Sequence, residues 1–223
     1  MAAIILPGYP EKFLKMKETK NITTLFLDIG GVLLTNGWGH ESRNKAAEKF
    51  KLDVPEMEAR HSITFDTYEL GKLTLEEYLG ITVFYKRRSF SKDEFREFMF
   101  SQSQPYPEMI ELMKRLKKRY GLKMVAVSNE ARELNAYRIQ EYKLAGFIDF
   151  FISSTFVHLR KPDTDIYKLA LNMTQAEIGE VIYLDDVPVF VSVAESLGIR
   201  SICHTNYETT CKELQSFGFE TTL

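Results

Sequence analysis

Cysteine and tryptophan are scarce in this chain: 223 residues hold two cysteines and one tryptophan. Cys203 and Cys211 make neither a CxxC pair nor a metal-ligand set with the scattered His40, His61, His158 and His204. A disulfide scaffold and a zinc module are thereby excluded, and two reduced thiols in a cytosolic protein fit best. Long apolar runs are also missing. The longest, such as residues 147–152 with Asp149 inside, fall far short of the ~20 residues a spanning helix needs. Residues 2–6 are apolar, but Pro7, Gly8 and charged residues follow, unlike a secretory signal. The expectation is a cytoplasmic protein with no membrane partner. A charge excess is lacking too, with 29 Lys and Arg against 31 Asp and Glu and a net charge of -2. Such a balance offers no global attraction to nucleic acid or anionic lipid. Local basic clusters occur at Lys86, Arg87 and Arg88, and at Lys114, Arg115, Lys117, Lys118 and Arg119. The second is interleaved with Met109, Ile110, Met113 and Leu116 at helical spacing, which predicts the solvated outer face of a helix.

What is present is enough apolar material, 44% of the chain, to bury a sizeable core. The organising stretch is residues 25–34, LFLDIGGVLL. Its opening apolar run is too short for a helix and suits a strand buried on both faces of a parallel sheet. Asp28 stands where that run stops, at the sheet edge where ligands bind, and a carboxylate there needs a cation or hydrogen-bond donors. Gly30 and Gly31 follow, and their conformational freedom lets the loop wrap a small charged group beside Asp28. An Asp capping an ordinary strand-to-helix turn is the alternative on this stretch alone.

Residues 1–22 read as an extension with a short helix over 11–19. After the first strand, Asn36-Gly37-Trp38-Gly39 is rich in turn formers and suits a hinge. A helical passage follows, with helices predicted over 42–50, 55–68 and 74–83, and capping boxes at Thr74/Glu77 and Ser91/Glu94. Pro105 and Pro107 close it. Beyond, helix and strand alternate: helices over 108–120, 131–143, 165–173 and a final one over 189–197, strands over 124–127, 148–152, 181–184 and 200–203. That alternation predicts an α/β fold, a Rossmann-like doubly wound parallel sheet with an inserted helical domain. The boundaries are 23–35 and 105–223 for the core and 36–104 for the insertion.

In such a sheet all strand carboxyl ends face one crevice. Ser128-Asn129 and Asp185-Asp186 follow strands there, and Lys161-Pro162 precedes a helix. Asp28 and Asp185 side by side repel unless one is protonated or a divalent cation lies between them, and Mg²⁺ suits two carboxylates and retained waters. Ser128 and Lys161 can meet phosphoryl oxygens. Each residue has a plainer reading alone: Ser128 as a helix N-cap, Lys161 as a surface lysine, Asp185-Asp186 as a capping pair.

The order of the four resembles the haloacid dehalogenase superfamily over about residues 23–205, its four motifs being similar to LFLDIGGVLL, VAVSN, RKPDTDIY and IYLDDVPVFVSVAESLGI. The resemblance implies a helical cap at 36–104 and a phosphatase in which Asp28 becomes an aspartyl-phosphate. It implies that Lys161 takes part in catalysis, that Ser128, Asn129 and Gly31 bind the substrate, and that Asp28, the Gly30 carbonyl, Asp185 and Asp186 hold Mg²⁺. The partner is then a small phosphorylated metabolite, for example a sugar phosphate. The chain departs from the family at Gly30, where phosphatases carry a second aspartate as general acid and base, worth ~10² to 10⁴ in rate. Replacement by His40 or Glu41, an acidic leaving group that needs no help, or low activity would each follow. The apolar Val187 to Phe190 stretch also departs, offering few polar groups to orient metal ligands. Tyr68, Trp38, Arg43 and Arg60 are candidate liners of the closed site. Two other readings stay open: a dehalogenase-like hydrolase in which Asp28 attacks carbon without a cation, and a catalytically impaired fold that binds a phosphometabolite or a protein. The sequence does not fix an oligomeric state.

Overall fold

The computed structural model describes residues 22–221. The expected extension and its helix over 11–19 lie outside the described residues, except for Ile22, which packs into the core. The first strand, β1 (Thr24–Leu27), is wholly buried. Four helices follow: α1 (His40–Phe50), α2 (Val54–Glu69), α3 (Leu75–Thr82) and α4 (Lys92–Ser101). Then come α5 (Pro107–Tyr120), β2 (Lys123–Ser128), α6 (Arg132–Glu141), β3 (Phe150–Ser153) and the single turn α7 (Ser154–Val157). The chain continues through α8 (Thr164–Thr174), β4 (Val181–Asp185), α9 (Pro188–Ser196), β5 (Arg200–Cys203) and α10 (Tyr207–Ser216).

The strands form one parallel sheet in the order β3-β2-β1-β4-β5, so β1 lies at the centre. This is the doubly wound α/β architecture expected, with a helical insertion after its first strand. Alternation along β1 sends Leu25 and Leu27 into one apolar layer with Met113 and Leu116 of α5 and Leu214 of α10. Phe26 points the other way, against Ile166 and Ala170 of α8 and Ala194 of α9. The basic residues of α5 lie outside this packing, and Gly121 ends the helix at φ +65, where a side chain would be strained.

Differences from the sequence reading have local causes. The third strand begins at Phe150 rather than 148 because the Asp149 carboxylate accepts the Met124 amide (2.9 Å) and pairs with Lys117 (2.5 Å), occupying the strand's entry. Helix α10 was not expected; Asn206 caps it by accepting the Thr209 amide at 2.9 Å. The box at Thr74/Glu77 forms in full, whereas at Ser91 the side chain accepts the Glu94 amide without the reciprocal bond. No helix among the described residues is long and apolar enough to cross a membrane. Both cysteines are free, Cys211 buried and Cys203 half-buried.

The insertion's core, in which Trp38, Phe50, Tyr68, Tyr78, Phe95 and Met99 are buried, is continuous with Ala131 and Leu134 at the start of α6. The expected hinge is therefore partly interior: Trp38 is only 4% exposed and its indole N–H donates to the Tyr78 hydroxyl at 2.9 Å. That hydroxyl also meets His61 Nδ1 at 2.7 Å. Burial and then the nearby Arg43 pull His61 down to about 4, with Glu58 and Asp66 opposing. An unfolded histidine titrates near 6.5, so the unfolded chain binds more protons between these values and stability rises with pH across the window. The His61 contribution, read as the difference in denaturant unfolding between wild type and His61→Phe, should be complete above about pH 6.5 and shrink by about 3 kcal/mol as the pH falls to 4. His61→Phe should be weaker than wild type at pH 7.5, and that difference should narrow toward pH 4.

Candidate active site

Register places the chemistry. Leu27 of β1 pairs with Leu184 of β4 and with Ala126 of β2, so Asp28 comes level with Asp185, with Ser128 one step further along β2. Asp28 is 7% exposed, and every donor to its carboxylate among the described residues goes to one oxygen. Oδ1 accepts from Ser128 Oγ (2.6 Å), the Ile29 amide (2.8 Å) and Lys161 Nζ (3.2 Å). Nothing among the described residues donates to Oδ2. One oxygen is anchored while the other stays available.

Lys161 is fully buried, which corrects its reading as a surface lysine. Its ammonium lies 2.5 Å from Asp185 Oδ2 and 3.2 Å from Asp28 Oδ1, and faces the Phe190 ring at 5.0 Å. Burial opposes its charge, yet the Asp28 and Asp185 carboxylates more than offset that and hold it above the ordinary lysine value. Asp185 is fixed at both oxygens: Oδ2 also accepts from the Tyr183 hydroxyl, and Oδ1 from the Val187 amide at 2.8 Å. The apolar fourth stretch thus orients the carboxylate through the Val187 amide and backs the Lys161 ammonium with the Phe190 ring, so few polar side chains are needed. Ser128 and the aspartate pair are likewise no helix caps, since α6 and α9 are capped at Ala131 and Val187 without side-chain bonds.

Asp186 is half-buried, with Oδ2 accepting from the Asn36 amide group at 3.2 Å and Oδ1 buried without a partner among the described residues. One oxygen each from Asp28, Asp185 and Asp186 lies within 4.8 Å of the others. Three carboxylates face one ammonium. Burial, with Asp185 and Asp186 adding to it, pushes Asp28 up to about 7 against the opposing pull of Lys161 and Ser128. The unpartnered Asp186 oxygen and the surplus of negative charge both fit a divalent cation held by oxygen ligands.

Two residues expected to bind substrate make bonds within the chain. Asn129 spends its side chain on the Lys161 backbone, donating to its carbonyl (2.9 Å) and accepting its amide (2.8 Å), so it positions the lysine. The Gly31 amide donates to the Leu34 carbonyl at 2.7 Å and is not free for a phosphate. Gly31 is needed for a different reason: at φ +74, a Cβ there would fall 2.1 Å from the Asp186 carboxylate.

A cavity of about 270 Å³ opens over Asp28, bordered by Ser128, Gly30 and Asp186 on the sheet side and by Trp38, Arg43 and Tyr68 of the insertion. Arg60 is not at its wall; it pairs with Glu56 and stacks 3.7 Å above Tyr85. His40 and Glu41 do not border it either, being exposed and engaged with Asn44 and Lys45. The sequence reading missed Arg138 and Glu130, a buried ion pair at the cavity floor, and the Glu69–Arg160 pair at its wall. Burial pushes Glu130 up despite Arg138. Glu130 directly follows Ser128-Asn129 and Arg160 directly precedes Lys161, yet no spacing rule ties either to a partner on another element.

A model of the haloacid dehalogenase-like hydrolases matches residues 22–198. Bifunctional epoxide hydrolase 2 of Sus scrofa is 38% identical over 73 residues, 33% of this chain and 13% of that protein. Flavin mononucleotide hydrolase 1 of Arabidopsis thaliana is 25% identical over 168 residues, 73% of this chain and 65% of that protein. The chain therefore spans less than two thirds of the length of either relative. A family enzyme from Bacteroides thetaiotaomicron is similar in fold, with a TM-score of 0.75 at 19% identity over 87% of this chain and 99% of that one. The same enzyme in complex with magnesium and inorganic phosphate gives 0.70 at 19% identity, over 82% and 93% of the two chains.

Replacing Lys161 by Met should leave buried carboxylates uncompensated and lower stability by about 3–5 kcal/mol. Because protonation relieves that burden, the deficit relative to wild type in thermal unfolding should be largest near pH 8 and shrink toward pH 5.

Proposed function

This chain belongs to the haloacid dehalogenase-like hydrolases, and we propose that it is a magnesium-dependent phosphatase of small phosphorylated metabolites working through Asp28. The observation that carries this reading is the asymmetric Asp28 carboxylate, whose Oδ1 takes three donors while Oδ2 is left available at the cavity. Oδ2 attacks phosphorus, the ester P–O bond breaks, and water then hydrolyses the aspartyl-phosphate. Ser128 and Lys161 fix the attacking group, and the Lys161 ammonium offsets charge at the phosphoryl oxygens. Asp28, Asp185 and Asp186, with the Gly30 carbonyl, would hold Mg²⁺, which when bound shields an incoming phosphate dianion from three carboxylates. Residues 36–104 act as the cap that encloses the leaving group and excludes water, and 23–35 with 105–223 as the catalytic core. The flavin mononucleotide hydrolase relative and the magnesium and phosphate bound to the Bacteroides enzyme support a phosphate ester as substrate.

Phosphate release from a panel of phosphomonoesters should require Mg²⁺, vanish with EDTA, and fall by about three orders of magnitude or more in Asp28→Asn. Metal-independent turnover, or turnover persisting in that variant, would contradict the reading. Chelator-indifferent halide release from a 2-haloacid would point instead to attack on carbon.

A further inference from the structure

When an alkyl phosphate is cleaved, the departing oxygen needs a proton as the P–O bond breaks. Gly30 brings no side chain to do this, and a Cβ there would already lie 3.0 Å from Asn36 Oδ1. Of the other acids at the cavity, Asp28 is the nucleophile, Asp186 belongs to the carboxylate cluster, and Glu130, 3% exposed on the sheet side, is the counter-ion of the Arg138 that holds Thr35 and Ser103 at the insertion's junction. Burial holds the Tyr68 phenol far too high to donate usefully. One acid remains.

We propose that Glu69, carried by the helical insertion, donates the proton to the leaving-group oxygen and then takes one from the water that attacks the aspartyl-phosphate. The proposal rests on the phosphatase reading above. Glu69 ends α2, borders the same cavity as Asp28, and is 7% exposed. Two segments of the sheet domain pin it there. Its carbonyl accepts from Ser154 Oγ at 2.8 Å, and that hydroxyl accepts the amide of Glu130, two residues past Ser128. Its carboxylate is held by Arg160, the neighbour of Lys161. Both guanidinium donors go to Oε2, and among the described residues nothing donates to Oε1. The arrangement repeats that of Asp28, with one oxygen tethered and one available.

Burial pushes Glu69 up to about 7, Arg160 opposing most and Lys161 less, with Glu130 adding to the rise. Asp66 shares Arg160, at 2.7 Å, and Tyr68 precedes Glu69 in the helix. Near neutral pH such a carboxyl can give a proton and take one back. In the first step Oδ2 of Asp28 bonds phosphorus, the ester bond breaks, and the leaving oxygen takes the Glu69 proton. In the second, water loses a proton to Glu69 as its oxygen bonds phosphorus and the acyl-phosphate P–O bond breaks, restoring both residues.

The test compares wild type with Glu69→Gln in Mg²⁺ on 4-nitrophenyl phosphate, whose leaving group departs without a proton, and on glycerol phosphate. Turnover of glycerol phosphate should fall by about 10² to 10⁴ in the variant. With 4-nitrophenyl phosphate the variant should release a rapid burst of nitrophenol equal to the enzyme present and then slow, because only the second step has lost its base. Equal slowing of the burst and of glycerol phosphate turnover, or no slowing of either, would overturn the proposal. If the variant fails to fold, wild type alone decides: kcat/KM for glycerol phosphate should fall as pH rises through about 7, a limb absent with 4-nitrophenyl phosphate, and identical profiles would overturn the assignment. Wild type inert on both esters would instead sink the phosphatase reading itself, and this inference with it.

Discussion

Three carboxylates and one ammonium share the crevice at the end of the central strands, and this imbalance is the constraint on which the site depends. At separations within 4.8 Å each carboxylate pair repels by roughly 3–4 kcal/mol at an effective dielectric of about 20. Lys161 makes close contact with Asp28 and Asp185, and cannot also neutralise Asp186, which is left with an unpartnered oxygen. The fold resolves part of the strain by hydrogen bonding: Asp185 is gripped by Tyr183 and the Val187 amide, Asp28 by Ser128 and the Ile29 amide. Burial, and after it the neighbouring Asp185 and Asp186, still raise Asp28 toward neutrality. A dication held there would offset the surplus charge and give the free Asp186 oxygen a partner.

The insertion is fastened to that crevice rather than hung beside it. Thr35 and Gln104, where the chain leaves and re-enters the sheet domain, are joined by the Thr35 amide to the Gln104 carbonyl (2.8 Å) and the Gln104 amide to Thr35 Oγ1 (2.9 Å). Arg138 locks the junction from below, donating to the Thr35 carbonyl at 3.0 Å and to Ser103 Oγ at 2.9 Å while paired with Glu130. Gly37 is glycine for that reason: a Cβ there would lie 1.9 Å from the guanidinium, at φ +60. Burying an ion pair is favourable only when its remaining donors are satisfied, and here the satisfied donors are the ones that set the insertion's position.

The parallel sheet and the convergence of Asp28, Ser128, Lys161 and Asp185 were legible because period, strand ends and topology are local or near-local properties. Individual roles were less so. Asn129 and Gly31 stand beside the right residues but turn to the Lys161 backbone and to Leu34 and Asp186, choices fixed by loop geometry rather than residue type. The apolar stretch after Asp186 looked too poor in polar groups, since backbone amides and the face of Phe190 leave no mark in composition. Glu69 and Arg160, 91 residues apart, meet only through packing of α2 on the loop before α8.

The central claim is tested most directly by titrating Mg²⁺ into the protein by calorimetry in buffers of differing ionisation heat. The account predicts one ion per chain, with protons released below about pH 7 as Asp28 gives up its own, and binding lost in Asp185→Asn. No binding to wild type, or unchanged binding in that variant, would contradict it.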